Sequence, residues 1–278
     1  MGALDGQVAI VTGASRGLGK DIAISLARAG AMVVVSARTD ESGQSRIPGS
    51  LADTVGQIED AGGRARAIRC DVADETDIQN LVKTTLSDHG RLDVVVNNAG
   101  ILVPGTVLEM EPKHWRLSFR VNVDGPFLMC KAVLPSMIEA GGGHIINVSS
   151  RGAIGPGAGP YDGPRPSGGA AYGATKAALE RFSQGLAAEV YQHNVSVNVL
   201  SPHLPIWSEG GHFFRTRGGE PDYSGWRMSG DIIGDAAVVI CSQERGRYTG
   251  NILYDELVML KEGGLSAEEV AKRYPVEG

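Results

Sequence analysis

Short, strand-length apolar runs recur along this chain with helical patterns between them, and that alternation restricts its fold more than any other feature. Strands are expected at Val8–Thr12, Met32–Ser36, Ala65–Cys70, Val94–Asn97, His144–Ser149, Val195–Leu200 and Ile252–Tyr254. Helices are expected near Gly17–Ala29, Leu51–Ala61, Asp74–Asp88, Pro112–Ala140, Ala170–His193 and Gly230–Arg245. The strand runs are apolar throughout, as parallel strands buried on both faces are, and do not alternate apolar with polar. A β-α-β-α order over nearly the whole chain predicts a doubly wound, parallel seven-stranded sheet with helices on both faces. No shift of composition marks a second domain, so 1–278 reads as a single domain. Two stretches leave the rhythm. Residues 151–169 (RGAIGPGAGPYDGPRPSGG) are rich in Gly and Pro and read as a loop insertion, and 201–229 carry several aromatics without a clean period.

Directly after the first strand comes TGASRGLG, with Gly13, Gly17 and Gly19 around Ser15, Arg16 and Leu18. Glycines permit a tight strand-to-helix turn and close approach of backbone N–H groups to a ligand. The helix N-terminus adds unpaired donors and a positive dipole end suited to a pyrophosphate. In this position the turn predicts nucleotide binding in a Rossmann-type sheet, although its Gly-x-x-x-Gly-x-Gly spacing differs from the commoner Gly-x-Gly-x-x-Gly. Farther on, Tyr172 and Lys176 stand four residues apart in AAYGATKAALERF. A helix puts them on one face. An isolated phenol has a pKa of ~10, and a neighbouring ammonium would favour its ionised form and draw it toward a range useful for proton transfer.

A net charge of −6 gives no electrostatic case for nucleic acid or an anionic membrane surface. Cys70, Cys130 and Cys241 lie far apart without metal-ligand spacing; they read as buried small hydrophobes in a reducing compartment. No metal site is expected. There is no signal-peptide pattern, no apolar run of membrane-spanning length and no peroxisomal tripeptide in the terminal RYPVEG, so a soluble, cytoplasmic protein is expected. His144, His193, His203 and His212 have no evident triad or metal partner and read as solvated or loop residues. Ser150 lacks the Gly-x-Ser-x-Gly elbow of a serine hydrolase.

TGASRGLG, NNAG at 97–100, Ser150 in NVSS and YGATK, in this order, resemble the short-chain dehydrogenase/reductase family over essentially the whole chain. The insertion RIPGSLADT after the second strand, DIIGDAAVV and the altered end YTGNILYDELVML resemble its hydroxysteroid-dehydrogenase-like branch. The resemblance implies that Tyr172 exchanges a proton with the substrate oxygen. It implies that Lys176 lowers the tyrosine pKa and holds the nicotinamide ribose. Ser150, rather than its neighbour Ser149, would hydrogen-bond the reacting oxygen, and Asn122 would hold a water linking Lys176 to solvent. It places Asp71 and Val72 at the adenine ring, and Asn98, Ala99 and Gly100 along the cofactor. Pro202, Ile206 and Ser208 match the segment facing the nicotinamide.

An acidic residue at the end of the second strand normally binds the adenosine ribose of NAD. This chain has Ala37 there, followed by Arg38, with Arg16 in the glycine turn. Two guanidinium groups suit a 2′-phosphate, so NADP(H) is expected over NAD(H). The expected activity is an NADP(H)-dependent oxidoreductase that interconverts a carbonyl and a secondary alcohol on a hydrophobic small molecule. An NAD(H) alcohol dehydrogenase and a non-catalytic cofactor-binding scaffold or redox sensor are the alternatives. Trp207, His212, Phe213, Phe214, Tyr223 and Trp226 form either an apolar pocket lid or the anchor of a loop or subunit interface. Tyr161 and Arg165 of the long loop would either touch substrate or face solvent. A homo-oligomer, dimer or tetramer, is expected.

Overall fold

The computed structural model describes residues 2–161, 169–215 and 221–278. Arg165 falls outside them, as does the side chain of Phe214. One seven-stranded, all-parallel sheet runs in the order β3-β2-β1-β4-β5-β6-β7. Its strands are β1 Val8–Thr12, β2 Met32–Ala37, β3 Arg64–Arg69, β4 Val94–Asn97, β5 Gly143–Val148, β6 Val195–Ser201 and β7 Ile252–Tyr254. The helices are α1 Gly17–Arg28, α2 Leu51–Asp60, α3 Glu75–His89, α4 Pro112–Phe119, α5 Gly125–Glu139, α6 Gly169–Val190, α7 Glu209–Arg215, α8 Asp231–Cys241, α9 Asp255–Lys261 and α10 Ala267–Arg273.

Alternate residues of the central strands supply two cores. Ala9 and Val11 of β1, with Val33, Val35, Val94 and Val96, pack against α1 and α8. Ile10, Val34, Val95, Ile145 and Val197 pack against α3, α5 and α6 on the opposite face. This two-sided burial is why the strand runs are apolar throughout. The three thiols lie in these cores, and burial pushes each up to about 12. Chain order reverses between β1 and β4, so the crevice of this sheet opens at their carboxyl ends, at Thr12–Gly13 and Asn97–Asn98.

Four expectations are corrected. The region Pro112–Ala140 is two helices joined by a π turn, Arg120–Asp124. The extra residue shifts the helix register where Gly125 presses on Val72, whose carbonyl oxygen would lie 2.9 Å from an added Cβ. β3 is an edge strand with mostly exposed residues (RARAIR), and its arginines suit an unpaired sheet edge. α7, α9 and α10 form where sequence periodicity was too short to read. His144 is neither solvated nor in a loop: it lies buried on β5, and burial pushes its pKa down to about 4, with Arg245 lowering and Asp93 opposing.

Asp93 fastens the opposite end of the sheet. Its carboxylate accepts the Val8 N–H at 3.0 Å, two Arg91 contacts at 2.7 Å and Arg245 Nη2 at 3.0 Å. Burial pushes this carboxyl up, but Arg91, the Val8 N–H and Arg245 outweigh it and hold the pKa below the usual range. A depressed carboxylate contributes stability that is present above its unfolded pKa of ~3.9 and is lost as pH falls through its folded value. Asp93→Asn should therefore cost about 1–3 kcal/mol near neutrality. The difference from wild type should shrink in acid. Urea unfolding at neutral and acidic pH measures both effects.

Candidate active site

The turn after β1 is built for close approach. Gly13 and Gly17 have φ of +67° and +54°, the left-handed region that favours glycine. A Cβ on Gly13 would come within 2.8 Å of the Ala99 Cα, and one on Gly19 within 2.3 Å of Asn98 Nδ2. Thr12, missed in the sequence, locks the β1 and β4 ends together. Its hydroxyl donates to the Val96 carbonyl at 3.3 Å and accepts the N–H groups of Asn98 and Ala99, both at 3.1 Å. Asn98 Nδ2 donates to the carbonyls of Thr12 at 2.9 Å and Gly13 at 3.3 Å. The Asn98 side chain thus braces the turn, because the carbonyls opposite it need donors.

Beside this turn lies a cleft of about 140 Å³, lined by Ser15, Arg16, Arg38, Asp71, Val72 and Gly100 among others. Residues from the ends of β1, β2, β3 and β4 meet here, as the switch point requires. Asp71 spends one oxygen on the Ala73 N–H at 3.0 Å, which shapes the loop after β3. Arg16 is more committed than its sequence position suggested: its guanidinium donates to the Gly49 carbonyl at 2.8 Å and to Ser45 Oγ at 3.3 Å. The insertion after β2 folds back onto Arg16, so Arg38 is the freer of the two guanidinium groups bordering the cleft. A nicotinamide dinucleotide fits the arrangement at its adenosine end. The glycines leave open the backbone approach that a Cβ would fill, a buried Arg16 Nε has no hydrogen-bond partner among the described residues, and no carboxylate stands at Ala37.

Across the sheet, three consecutive residues at the end of β5 each engage one residue of the α6 face. The Val148 carbonyl accepts Lys176 Nζ at 2.7 Å, Ser149 Oγ donates to Glu180 Oε1 at 2.8 Å, and Ser150 hydrogen-bonds the Tyr172 hydroxyl. Tyr172, Lys176 and Glu180 are spaced by one helical turn each, which gives all three the same direction. Ser150 and Ser149 therefore face different partners, and Ser150 is the one beside Tyr172. Helix α6 can lie this close because Gly173 sits against Gly152, whose carbonyl oxygen would be 2.6 Å from an added Cβ.

Asn122 lies in the π turn with every amide group engaged. Its oxygen accepts the Ile101 N–H at 2.8 Å, and its nitrogen donates to the Ile101 carbonyl at 2.9 Å and to Thr175 Oγ1 at 3.0 Å. It clamps the segment after NNAG to α6, so its side chain has no spare donor for a water. A Cβ on Gly100 would lie 3.3 Å from Asn122 Oδ1 and 3.6 Å from Lys176 Nζ, which brings the NNAG loop to the Tyr172 group. Below them, Asn97, Asn147 and Ser183 form a buried chain of hydrogen bonds from β4 through β5 to α6, each 2.8 Å.

Burial dominates the electrostatics of this group. Tyr172 is raised, because burial disfavours the phenolate more than its Ser150 bond favours it. Lys176 is itself buried and pushed down to about 8, opposed by Glu180, and its Nζ donates to the Val148 carbonyl at 2.7 Å. Its Nζ lies 5.7 Å from the centre of the Tyr172 ring.

Of the segment after β6, Pro202 leads into a turn held by the Asp255 carboxylate, which accepts the His203 N–H at 2.8 Å. Ile206 is buried at the edge of the first core, and its backbone bridges to Arg227. Ser208 packs on Gly17 and accepts the Gly211 N–H at 3.1 Å to start α7. Trp207, His212, Tyr223 and Trp226 follow one another in ring contact, and His212 Nδ1 is 2.7 Å from the Tyr223 hydroxyl. These rings tie the outgoing and returning arms of the loop together. Tyr161, in the long loop, donates to the Gly157 carbonyl at 2.6 Å.

A parallel sheet with a glycine-rich switch-point cleft and a Ser-Tyr-Lys group beside it defines a nucleotide-dependent oxidoreductase class, and known proteins agree. The family model for short chain dehydrogenases matches residues 7–204. This chain belongs to the short-chain dehydrogenase family. It is 38% identical over 202 residues to a 3-oxoacyl-[acyl-carrier-protein] reductase of Synechocystis, covering 73% of this chain and 75% of that protein. It is 31% identical over 262 residues to hydroxysteroid dehydrogenase-like protein 2 of Xenopus tropicalis, covering 94% of this chain and 60% of that longer protein. A crystal structure of a metagenomic short-chain oxidoreductase in complex with NADP superposes with a TM-score of 0.72 at 33% identity, covering 91% of this chain and 97% of that one.

The buried ammonium gives a direct check. After reductive ¹³C-methylation, the signal lost in Lys176→Met should titrate near 8, where exposed lysines titrate at ~10.4. A value close to theirs would mean that Lys176 is not held in the interior.

Proposed function

We propose that this chain is an NADP(H)-dependent oxidoreductase that interconverts a carbonyl and a secondary alcohol on a hydrophobic small molecule. The observation that carries the reading is the register of β5 against α6, which groups Ser150, Tyr172 and Lys176 beside Gly100 and the switch-point cleft. Arg16, Arg38, Asp71 and Val72 border that cleft and would hold the adenosine end, with Arg38 the freer partner for a 2′-phosphate. The bound nicotinamide supplies or accepts the hydride, and the chain supplies orientation and the proton.

A phenol whose pKa is raised by burial starts protonated at neutral pH, the state a proton donor needs. Tyr172 thus gives its hydroxyl proton to the carbonyl oxygen in the reductive direction. Ser150 donates a hydrogen bond to the same oxygen as negative charge develops there. Lys176, an ammonium below about pH 8, compensates the phenolate that is left. Asn122 positions rather than reacts, keeping the 100–101 segment against α6. Ser150 and Gly152 place the start of the long loop at the mouth of this group.

NADP is the cofactor named for the metagenomic oxidoreductase and for an NAD(P)-dependent gluconate 5-dehydrogenase from Beutenbergia cavernae, at 33% and 29% identity. The likeness to a 3-oxoacyl reductase and to a hydroxysteroid dehydrogenase-like protein supports a carbonyl or secondary alcohol substrate. Among the described residues, no helix is long and apolar enough to cross a membrane, in keeping with a cytoplasmic enzyme. Exposed Trp115, Leu117 and Phe127 on α4 and α5 support a homo-oligomer.

Two measurements test the reading. Fluorescence titration should show NADPH binding at least about tenfold tighter than NADH, about 1.4 kcal/mol; equal or better NADH binding removes the 2′-phosphate assignment. Tyr172→Phe should lower turnover of a hydrophobic ketone by about 10²–10⁴ while NADPH affinity persists. Unchanged turnover would exclude Tyr172 as the proton donor.

A further inference from the structure

One contact in the cleft region joins residues far apart in sequence and was not legible there. Helix α1 begins at Gly17 with no side-chain cap, since Arg16 precedes it in extended conformation. The first N–H of the helix is nevertheless satisfied: Gly17 N donates to Glu209 Oε2 at 2.8 Å. The other carboxylate oxygen, Oε1, takes Lys20 Nζ at 3.0 Å. Glu209 is the first residue of α7, and its side chain is only 15% exposed. Gly17 makes the approach feasible, because a Cβ there would stand 3.0 Å from the Ser208 Cβ.

A carboxylate bound to a helix N-terminal N–H and a lysine makes the interactions a phosphate group would make at the same place. Burial pushes the Glu209 carboxyl up, yet its own N–H, Lys20 and the Gly17 N–H hold it below the usual range. It is thus an anion near neutral pH. Charged groups around it among the described residues include Arg16, whose guanidinium it favours, and Asp21, raised to about 6 mainly by burial, with Lys20 opposing and Glu209 and Asp231 adding.

We propose that Glu209 is an internal stand-in for a phosphate of the dinucleotide, so that cofactor binding displaces it and releases α7 from the start of α1. The proposal rests on the reading that the glycine turn takes a dinucleotide. The Gly17 N–H has one hydrogen and cannot serve both anions, so the two states exclude each other. The displaced carboxylate can turn toward solvent: Glu209 and Lys20 line an open cleft of about 450 Å³ between α1 and α2, whose far wall carries Asp53 and Asp60. Because α7 belongs to the loop bearing Trp207 and His212, cofactor occupancy is coupled to the position of that loop. The apparent affinity for the cofactor is reduced by the fraction of molecules in which the latch is closed.

The test uses the full chain, NADPH as the probe, and two variants. Glu209→Gln removes the charge at nearly constant size, and Glu209→Ala removes the contact. Both should bind NADPH at least about fivefold tighter than wild type by fluorescence titration, about 1 kcal/mol. Amide hydrogen exchange over 209–215 should be faster in both variants without NADPH, and should accelerate in wild type when NADPH is added. Equal or weaker NADPH binding by the variants, or α7 exchange that NADPH leaves unchanged, overturns the latch while the dinucleotide reading stands. If neither wild type nor variants bind NADPH or NADH, the dinucleotide reading has failed and the latch falls with it.

Discussion

The register of α6 on the carboxyl end of β5 is the constraint on which the rest of the site depends. Val148, the last residue of β5, and Ser149 and Ser150 just after it meet a helix face that repeats every four residues at Lys176, Glu180 and Tyr172. Ser149 and Ser150 lie beyond the last strand residue, where pleat alternation no longer applies, so both hydroxyls reach α6 while Val148 contributes its backbone carbonyl. A slip of α6 by one residue would rotate the phenol away from Ser150 and break all three contacts together. Buried hydrogen bonds through Asn97, Asn147 and Ser183, and the Asn122 clamp to Thr175, hold the register from both sides. These are polar groups in the interior, and each would be costly if left unpaired.

Burial sets the charge states. The same desolvation raises the Tyr172 phenol and lowers the Lys176 ammonium, so burial sets the direction of both shifts. The lysine is held by the Val148 carbonyl, and Glu180 is the carboxylate that favours its charged form. At the other end of the cleft, the N-terminus of α1 has an anion partner from within the chain, Glu209. Both halves of the site thus place an ionic group where local geometry, rather than sequence spacing, chooses its partner. The committed guanidinium of Arg16 on Gly49 and Ser45 is a third example.

Much of the architecture was legible. Apolar strand runs separated by helical patterns, together with TGASRGLG, NNAG and YGATK, were enough for the parallel sheet, its switch-point cleft and the family. The boundaries of β1, β4 and β7 match the sequence reading, because turn residues bracket short runs of valine and isoleucine. Less legible were features decided by few residues or by distant ones. The π turn at Arg120–Asp124 leaves helical periodicity nearly intact, so one helix was read in place of two. β3 looked like a core strand because alanine and isoleucine alternate with arginine, and only its place at the edge explains the charges. His144 was read as solvated because nothing local announces that β5 is central.

Sequence by itself determined the layer order and the cleft's location, because parallel burial, glycine turns and helix faces are consequences of residues within one or two turns of each other. It also determined that Tyr172 and Lys176 share a helix face. Tertiary structure alone decided that Ser149 turns to Glu180, that Asn98 braces the turn, that both amide hydrogens of Asn122 are bonded, and that Glu209 lies on Gly17. Each of these depends on segments distant along the chain being brought to within about 3 Å, the range of a hydrogen bond. No periodicity or motif encodes the hydrogen-bond partner chosen across such a distance; it follows from how the sheet and helices pack.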